Sequence, residues 1–407
     1  MLKKISIEAL RPGMVIHSHV GLWHNDPSLP EPFPITSKKD ITMLEERGIQ
    51  DVYIDTMEGD DAPEARSQDE VTEELNAQLR ELVGAKSDPL AEEVTAITAD
   101  LQEASAITDQ ANQLVGNMLN DARLGKMVDA RAFTKVAEDM VTIIRRNMDA
   151  MIVMALLRCT DEETLSHSVN VGIFLAAFCT HLGLDPRISE QAGVAGFLHD
   201  VGKVRVPRGI LEKEGTLTDK EYMEAKQHVN FGKELLENSK GITKVMHIIL
   251  SQHHERYDGT GYPKRLYQNQ IHRLGQMAGI ADVYDAITSK RSFRAPLESH
   301  VALRKMLEWG ERQFNQELFQ HFVRCLGIYP AGSMVELKNG MIGLILRNHR
   351  EDLLRPLIKV VKDTQSWSGP PRYIDLRSMR NQPEYEIVDH ASQHGSGIDP
   401  LHHLNIP

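Results

Sequence analysis

The chain reads HHERYDGTGYP at residues 253–263, where two adjacent histidines run into a turn rich in glycine and proline. A regular helix cannot continue through such a turn, so His253 and His254 are predicted to stand at a helix end. Imidazole is the commonest metal ligand in proteins, and two adjacent rings at a helix end can reach two metal ions. A second pair of this type, His199-Asp200, lies about fifty residues upstream in HDVGK. The two pairs predict a helical fold that brings them together.

Further residues of metal-ligand type lie on either side of these pairs. Glu163 and His167 are four residues apart, so on a helix their side chains face the same way. His228 begins another helical pattern, and Asp282 lies in GIADVYDAIT, on a predicted helix after the loop. Alone, each has a plainer explanation: a lone histidine is usually a surface or core residue, and Glu163 could belong to the acidic run at 161–163. Together with the two pairs, they predict a metal site.

The composition is that of a globular protein with mainly helical structure. At 407 residues the chain exceeds one ordinary core, and only 5% of the residues are aromatic, which favours helix bundles over β-sandwiches. A formal net charge of −12 argues against binding a nucleic acid polymer, because attraction to phosphate needs a basic surface.

Cysteine usage and hydropathy indicate the cellular compartment of the protein. Cys159, Cys179 and Cys325 lie in apolar helical contexts without CxxC pairing, which predicts reduced core thiols and a cytoplasmic protein. No apolar run approaches the length that spans a bilayer, so a soluble chain without membrane insertion is expected.

Changes in pattern divide the chain. Short strand and helix signals fill the first residues, an acidic stretch follows, and apolar residues then recur with helical spacing, suited to a helical hairpin or a dimerising helix. Asn339-Gly340 separates two apolar stretches and predicts a β-hairpin. In the polar C-terminal end, His390, His394, His402 and His403 are expected to be solvated. The predicted divisions are a small α/β accessory domain (1–56), an acidic linker and helical connector (57–128), a helical domain (129–329), a small β appendage (330–380) and a flexible tail (381–407).

The segment from about 150 to 325 resembles the HD-GYP family, phosphodiesterases of the HD superfamily that hydrolyse cyclic di-GMP. The resemblance rests on HDVGK at 199–203, HHERYDGTGYP at 253–263 and DVYDAITSKRSFR at 282–294. It implies a mainly α fold, an HD-type helical bundle with a small α/β domain before it and a small β appendage after it. The N-terminal part resembles the poorly characterised accessory domain often fused to HD-GYP modules.

Carried over by position, the resemblance implies the site residues. Family members with an acidic residue four positions before the first ligand histidine resemble the subgroup that binds three metal ions. Glu163 stands at that position, so the resemblance favours three metal ions over two. Asp200 and Lys203 carry the catalytic roles, and Lys203, Tyr262, Arg291 and Arg294 bind substrate, the two arginines through phosphate oxygens. The implied metal ligands are Glu163, His167, His199, Asp200, His228, His253, His254 and Asp282.

The implied reaction is in-line attack on cyclic di-GMP by a hydroxide that bridges the metal ions, giving pGpG, with further cleavage to GMP left open. A ligand set of histidines and carboxylates favours iron, with manganese as the alternative. GGDEF-domain proteins are implied partners through the loop around Gly261-Tyr262-Pro263, here the GYP loop, and a homodimer is a further expectation. Two alternatives stay open: a module that binds cyclic di-GMP or a GGDEF partner without turnover, and an HD phosphohydrolase of another nucleotide.

Overall fold

The computed structural model of the chain describes residues 2–19, 32–46, 49–67, 70–71, 74, 89–157, 163–213, 215–237, 239–289, 296–362, 371–391 and 399–404. The chain divides into two compact units, residues 1–92 and 93–407. The first contains an α/β fold, and the second contains a helical bundle followed by a β-sheet. The predicted fold class, mainly α with small α/β and β parts at the two ends, is confirmed. Every helix among the described residues is too short or too polar to span a bilayer.

The first unit is a mixed α/β fold around an antiparallel sheet with strand order β3-β2-β4-β1-β5. The central strand Asp51–Asp55 alternates between buried and half-buried residues, and its Val52 and Ile54 are fully buried. The Asp40 carboxylate accepts hydrogen bonds from the backbone N–H groups of Thr36 and Ser37 at the start of the helix. The elements are β1 (Leu2–Ser6), β2 (Val15–His19), β3 (Phe33–Pro34), α1 (Lys38–Glu46), β4 (Asp51–Asp55) and β5 (Arg66–Ser67).

This sheet extends past residue 56, where the sequence predicted an acidic linker. Lys3 and Lys4 of β1 pair with Ser67 and Arg66 of β5, and Ala62 is buried in the core of the unit. The acidic composition of 57–70 hid this strand, because its two residues are too few to produce an alternating pattern. The predicted domain limits as a whole stay a prediction.

The helical part of the second unit begins with one long helix. Its apolar stripe, which includes Val94, Ile97 and Leu101, is buried, while the opposite face is polar. A second long helix is broken at Asn147, whose backbone angles (φ −151°, ψ 87°) are not helical. The helices are α2 (Pro89–Arg123), α3 (Thr134–Leu157), α4 (Glu163–His181), α5 (Pro186–Leu198), α6 (Arg208–Leu211), α7 (Asp219–Lys226), α8 (His228–Glu237), α9 (Lys244–Gln252), α10 (Arg273–Thr288), α11 (Ser299–Gln313) and α12 (Gln316–Leu326).

Short side chains let two of these helices approach closely. A Cβ atom added at Gly196 of α5 would clash with the backbone of Gly172 on α4, so only glycine fits at this crossing. Helix α5 starts at Asp185, whose side chain accepts from the Arg187 N–H, with Pro186 at the first helical position. The crossing brings the end of α5 beside the first turns of α4, where His167 lies.

A second antiparallel sheet, with strand order β10-β6-β7-β8-β9, follows the helices. The predicted hairpin is confirmed: Gly340 has φ 81° in the turn between β6 and β7. One strand lies in the stretch predicted as a flexible tail, and the side chain of its His390 is 4% exposed, so the expectation of a solvated His390 was wrong. The elements are β6 (Met334–Leu337), β7 (Ile342–His349), β8 (Asp352–Lys362), β9 (Arg372–Asp375), β10 (Ile387–His390) and α13 (Pro400–His403).

Candidate metal centre

Seven side chains of metal-ligand type meet in the interior of the helical bundle. Among the described residues they form two groups, and within each group one potential ligand atom per residue lies within 4.8 Å of the others. All seven are buried except His254, whose side chain is 15% exposed. The first group is His167, His199 and Asp282, and the second is Asp200, His228, His253 and His254.

Most of these residues stand at helix ends. His199 is the C-terminal cap of α5, and Asp200 follows it with φ −102° and ψ 9°, so the pair lies at the end of the helix and not inside it. His228 is the first residue of α8, as predicted. His253 caps α9, and the Tyr262 N–H donates to the His254 carbonyl, so the GYP loop turns back directly after this histidine pair. Helix ends suit residues of metal-ligand type, because the chain can change direction there while the side chains stay fixed.

Asp200 lies between the two groups. Its Oδ2 atom is 3.3 Å from Nε2 of His199 and 3.5 Å from Nε2 of His167. Its Oδ1 atom is 3.3 Å from Nε2 of His228 and 3.9 Å from Nε2 of His253. One carboxylate therefore presents a separate oxygen to each group, the arrangement that a bridging ligand of two metal ions needs.

Backbone carbonyls fix the orientation of three of the rings. Nδ1 of His199 lies 2.7 Å from the Gly196 carbonyl, and Nδ1 of His228 and His253 contact the Ala225 and Leu250 carbonyls at 2.7 and 2.9 Å. A carbonyl only accepts, so each Nδ1 carries the proton, and Nε2 of a neutral ring is left to bind a metal ion.

Two buried polar atoms at the centre fit a metal ion. Nε2 of His253 and Oδ1 of Asp200 have no hydrogen-bond partner among the described residues. Leaving such atoms unpaired costs about 1–3 kcal/mol each, so a further partner is expected. The two atoms lie 3.9 Å apart, and each offers a lone pair. A divalent cation between them would bind both lone pairs, whereas none of the described residues donates a hydrogen bond to either atom.

Asp285 supports the first group and was missed from the sequence. Its Oδ2 atom is 2.6 Å from Nδ1 of His167, while Oδ1 accepts from the Asn170 amide and the Ser289 hydroxyl, each at 2.8 Å. A carboxylate on the outer nitrogen orients a metal-binding ring and raises its basicity. The signal was present: Asp282 and Asp285 are three residues apart, on one face of α10.

The carboxylates of the site are held ionised. Burial opposes the ionisation of Asp200, but the Lys203 ammonium and the His199 ring outweigh it, so the pKa of Asp200 lies well below its usual value. Lys203, predicted to contact phosphate, makes an ion pair with Oδ2 of Asp200. Burial likewise opposes ionisation of Asp282, and the neighbouring His254 holds the pKa of that carboxyl well below its usual value.

The histidines divide into neutral and protonated rings. Burial, followed by the neighbouring His199, lowers the pKa of His253 to about 3. Burial also acts to lower the pKa of His199, but the Asp200 and Asp282 carboxylates raise it to about 10. In metal-free protein at neutral pH, His253 is therefore a ready ligand, whereas His199 must lose a proton before it binds a metal ion.

Glu255 holds the GYP loop and was also missed from the sequence. It is buried, and its two carboxylate oxygens accept the backbone N–H groups of Lys264 and Leu266 at 2.8 and 2.9 Å. The loop presents Tyr262, whose ring centroid is 4.7 Å from that of His254. Tyr262, predicted to bind substrate, therefore stands at the edge of the second ligand group.

Three predicted site residues lie outside what the structure describes. Glu163 is the first residue of α4, but its side chain is not among the described ones. Arg291 and Arg294 belong to the stretch between residues 289 and 296 that lies outside the described residues.

Comparison with known proteins assigns the chain to a family. An HD domain family matches residues 151–318, and a domain of unknown function, DUF3391, matches residues 2–133. Cyclic di-GMP phosphodiesterase PA4108 of Pseudomonas aeruginosa is 34% identical over 378 residues, which cover 92% of this chain and 89% of that protein. The chain belongs to the HD-GYP family of cyclic di-GMP phosphodiesterases. The resemblance seen in the sequence motifs, including that of the N-terminal accessory domain, is confirmed.

Other relatives match the HD segment alone. The 3′3′-cGAMP-specific phosphodiesterase 2 of Vibrio cholerae is 35% identical over 160 residues, 39% of this chain and 31% of that protein. Among solved structures, the HDG"Y"P protein Bd1817 of Bdellovibrio bacteriovorus is 17% identical with a TM-score of 0.46, covering 79% of this chain and 98% of that one.

Proposed function

We propose that this HD-GYP chain hydrolyses cyclic di-GMP in a metal-dependent reaction that opens the ring to linear pGpG. The observation that carries the proposal is Asp200, whose two oxygens face two separate groups of buried ligand atoms. Divalent ions held by these two groups would suit a phosphodiester, because both the attacking and the departing oxygen need stabilisation. The membership of the chain in a family of cyclic di-GMP phosphodiesterases supports the choice of substrate.

The proposed ligands are the seven residues of the two groups, with Glu163 as an eighth. When bound, divalent ions act as Lewis acids that polarise a phosphoryl oxygen and lower the pKa of water. The donors are imidazole and carboxylate without thiolate among the described residues, which suits iron, with manganese as substitute.

The remaining residues would act on the substrate directly. Lys203 contacts Asp200 and is positioned to donate to a phosphoryl oxygen where negative charge develops. Tyr262 would border the substrate on the side of His254. Arg291 and Arg294 are proposed as further donors to phosphate, since arginine binds phosphate through two parallel hydrogen bonds.

The number of metal ions depends on Glu163. With Glu163 as a ligand, the protein purified without oxygen should hold about three ions per chain, and Glu163→Gln should lose one of them. Glu190→Gln, at a partly buried position of α5, is the matched control and should keep the wild-type metal content. If the wild type holds two ions and Glu163→Gln holds the same number, Glu163 is not a ligand and the metal site consists of the two groups alone.

The proposal also covers protein partners and the cellular location. Lys264 and Arg265 of the GYP loop are exposed and could contact a GGDEF-domain protein, which is proposed as a partner. A homodimer is proposed as a further assembly of the chain. The buried free thiols of Cys179 and Cys325 fit a reducing, cytoplasmic location.

Product analysis tests the proposal directly. The purified protein is incubated with cyclic di-GMP or 3′3′-cGAMP, and the products are separated by chromatography before and after chelation and readdition of Fe(II) or Mn(II). Formation of pGpG that stops on chelation and returns with metal is the expected result, and GMP would show that a second cleavage follows. Tight binding of cyclic di-GMP by fully metallated protein without turnover would instead identify a binding module. Faster turnover of 3′3′-cGAMP would reassign the substrate.

A further inference from the structure

A lysine stands between two tyrosine rings beside the ligand groups. The Lys226 ammonium is 4.0 Å from the centroid of the Tyr222 ring and 5.0 Å from that of Tyr262. Both distances are within the range of about 6 Å at which a cation is attracted to an aromatic face. The three side chains form a stack, here the Tyr222–Lys226–Tyr262 stack, which none of the sequence motifs indicated.

Local structure fixes this stack against the metal centre. Tyr222 and Lys226 are four residues apart on α7, so they share one face of the helix. A capping box between Thr218 and Glu221 holds the start of α7. Two residues after Lys226 comes His228, a proposed ligand, so the helix and the ligand are positioned together.

The third member of the stack joins it to the GYP loop. The Tyr262 ring centroid lies 4.7 Å from that of His254 and 6.3 Å from that of His228. Tyr262 therefore contacts a proposed ligand and the Lys226 ammonium at once. The ammonium lies beside this ring and makes no hydrogen bond to the proposed ligands among the described residues.

The charge of Lys226 is not neutralised within the described part of the chain. Lys203 is paired with Asp200 and Lys213 with Glu221, but no described carboxylate lies within 4.0 Å of the Lys226 ammonium. Contacts with aromatic faces orient an ammonium group but leave its charge in place, whereas an ion pair neutralises the charge. Lys226 is therefore a pre-oriented positive charge that can attract an anion beside Tyr262 and the second ligand group.

We propose that Lys226 binds the phosphate of the cyclic dinucleotide that is not being hydrolysed. This inference rests on the proposed function. Lys203, which contacts Asp200, would serve the reacting phosphate, whereas the Lys226 ammonium lies against the Tyr262 ring and makes no hydrogen bond to a proposed ligand among the described residues. A cyclic dinucleotide carries two phosphates, and a second positive charge beside the metal centre distinguishes it from a diester with only one. The substrate class assigned to the stack is therefore a ligand with two phosphodiester groups.

The test compares two substrates in Lys226→Met, which keeps the length of the side chain and removes its charge. Cyclic di-GMP has the second phosphate, and bis(p-nitrophenyl) phosphate lacks it. The ratio of kcat/KM for the first over the second should fall at least about tenfold, which corresponds to about 1.4 kcal/mol of lost interaction with a charged group. The fall should come through KM, because the contact is present in the bound substrate and in the transition state.

Controls separate this role from a structural one. Lys220→Met changes an exposed lysine of the same helix and should leave the ratio unchanged. Lys226→Arg, which keeps a cation able to stack on tyrosine, should recover most of the ratio. Lys226→Met should also keep the metal content and Tm of the wild type.

The contradicting outcomes are distinct from one another. An unchanged ratio, or an equal loss on both substrates, would overturn the role of Lys226 while leaving the proposed function intact. Loss of bound metal in Lys226→Met would assign the residue to support of the ligands and would likewise overturn the inference. A wild type that hydrolyses bis(p-nitrophenyl) phosphate but not cyclic di-GMP would overturn the proposed function, and this inference with it.

Discussion

Asp285 lies outside the proposed ligand set and contacts one of its rings, His167. Its carboxylate fixes the His167 ring from the outer nitrogen and is itself held by Asn170 and Ser289. We expect Asp285→Asn to weaken metal binding about 10- to 100-fold, because a neutral amide orients the ring less firmly and lowers its basicity. Titration of metal-free protein with Mn(II) measures the loss. Asp219→Asn, an exposed change on α7, should bind as the wild type does, and equal affinity of all three proteins would contradict the role of Asp285.

The protonation of His199 makes metal uptake depend on pH. Its pKa is raised to about 10 in metal-free protein, so at pH 7.5 the ring carries a proton that metal binding displaces. His253, with a pKa of about 3, releases none. We therefore expect metal binding to release the His199 proton, and the apparent metal affinity to rise with pH up to about 10. Calorimetry in buffers of different ionisation enthalpy measures the release, and an affinity that falls over this range would contradict the account.

At the scale of single residues, the sequence identified the proposed ligands but missed the residues that orient them. The ligand pairs stand out because their spacing is fixed by local structure, as in His199-Asp200 and His253-His254. The spacing of Asp282 and Asp285 indicates a shared helix face, but Asp285 contacts His167 across 118 residues, so no local pattern shows which ring it supports. The contact of Lys226 with Tyr262 likewise depends on the position of the GYP loop, which is distant from Lys226 in sequence.

The short helical turn at residues 201–205 packs closely against α8, which begins with the proposed ligand His228. A Cβ atom at Gly202 would clash with the backbone of His228 and of Gly232 on α8. We expect Gly202→Ala to destabilise the fold by about 1–3 kcal/mol and to lower the metal content, because α8 must move away from Asp200. Denaturant unfolding and metal analysis measure the two effects.

Gly209 on α6 provides the matched control for this change. No atom lies within 4 Å of a Cβ built at this position, so Gly209→Ala should keep the wild-type metal content and stability to within about 1 kcal/mol. Equal metal content in Gly202→Ala and Gly209→Ala would contradict the idea that the close approach of the turn and α8 fixes the site.

Helices and strands were predicted where the local pattern is long. The sequence placed His228 at a helix start and identified the Asn339-Gly340 hairpin, because both signals are local. It missed the two residues of β5, and it missed β10, whose pairing with Val335 and Leu337 of β6 spans about fifty residues. The end of α5 at Leu198 also escaped prediction, since HDVGK carries no proline and its glycine follows the ligand pair.

At the scale of the whole molecule, α2 belongs with the catalytic bundle. Asp100 of α2 accepts from Arg146 at 2.7 Å and from Asn147 at 2.9 Å, at the break in α3, and Glu93 pairs with Arg347 of β7 at 3.0 Å. The division of the chain before residue 93 agrees with these contacts. The sequence assigned this helix to a connector because its polar face resembles that of an isolated amphipathic helix.

Two truncated proteins test this assignment. A protein that begins at Pro89 keeps α2, whereas one that begins at Asp129 follows the boundary predicted from the sequence and exposes the surface that α2 covers. Each large apolar side chain returned to water costs about 1.5–3 kcal/mol, so the shorter protein should melt at least about 5 °C lower. Equal Tm values would show that α2 is a connector without a structural role in the bundle.

The central claim is that Asp200 joins two metal-binding groups into one hydrolytic site. Metal analysis and turnover of cyclic di-GMP, measured on the same anaerobic preparations of wild type and Asp200→Asn, test it most directly. We predict at least two ions per chain and formation of pGpG in the wild type, with loss of one or more ions and at least about a hundredfold lower kcat in the variant, because the amide is uncharged and keeps only one oxygen that can bind a metal ion. A variant with wild-type metal content and turnover, or a fully metallated wild type that leaves cyclic di-GMP intact, would contradict the account.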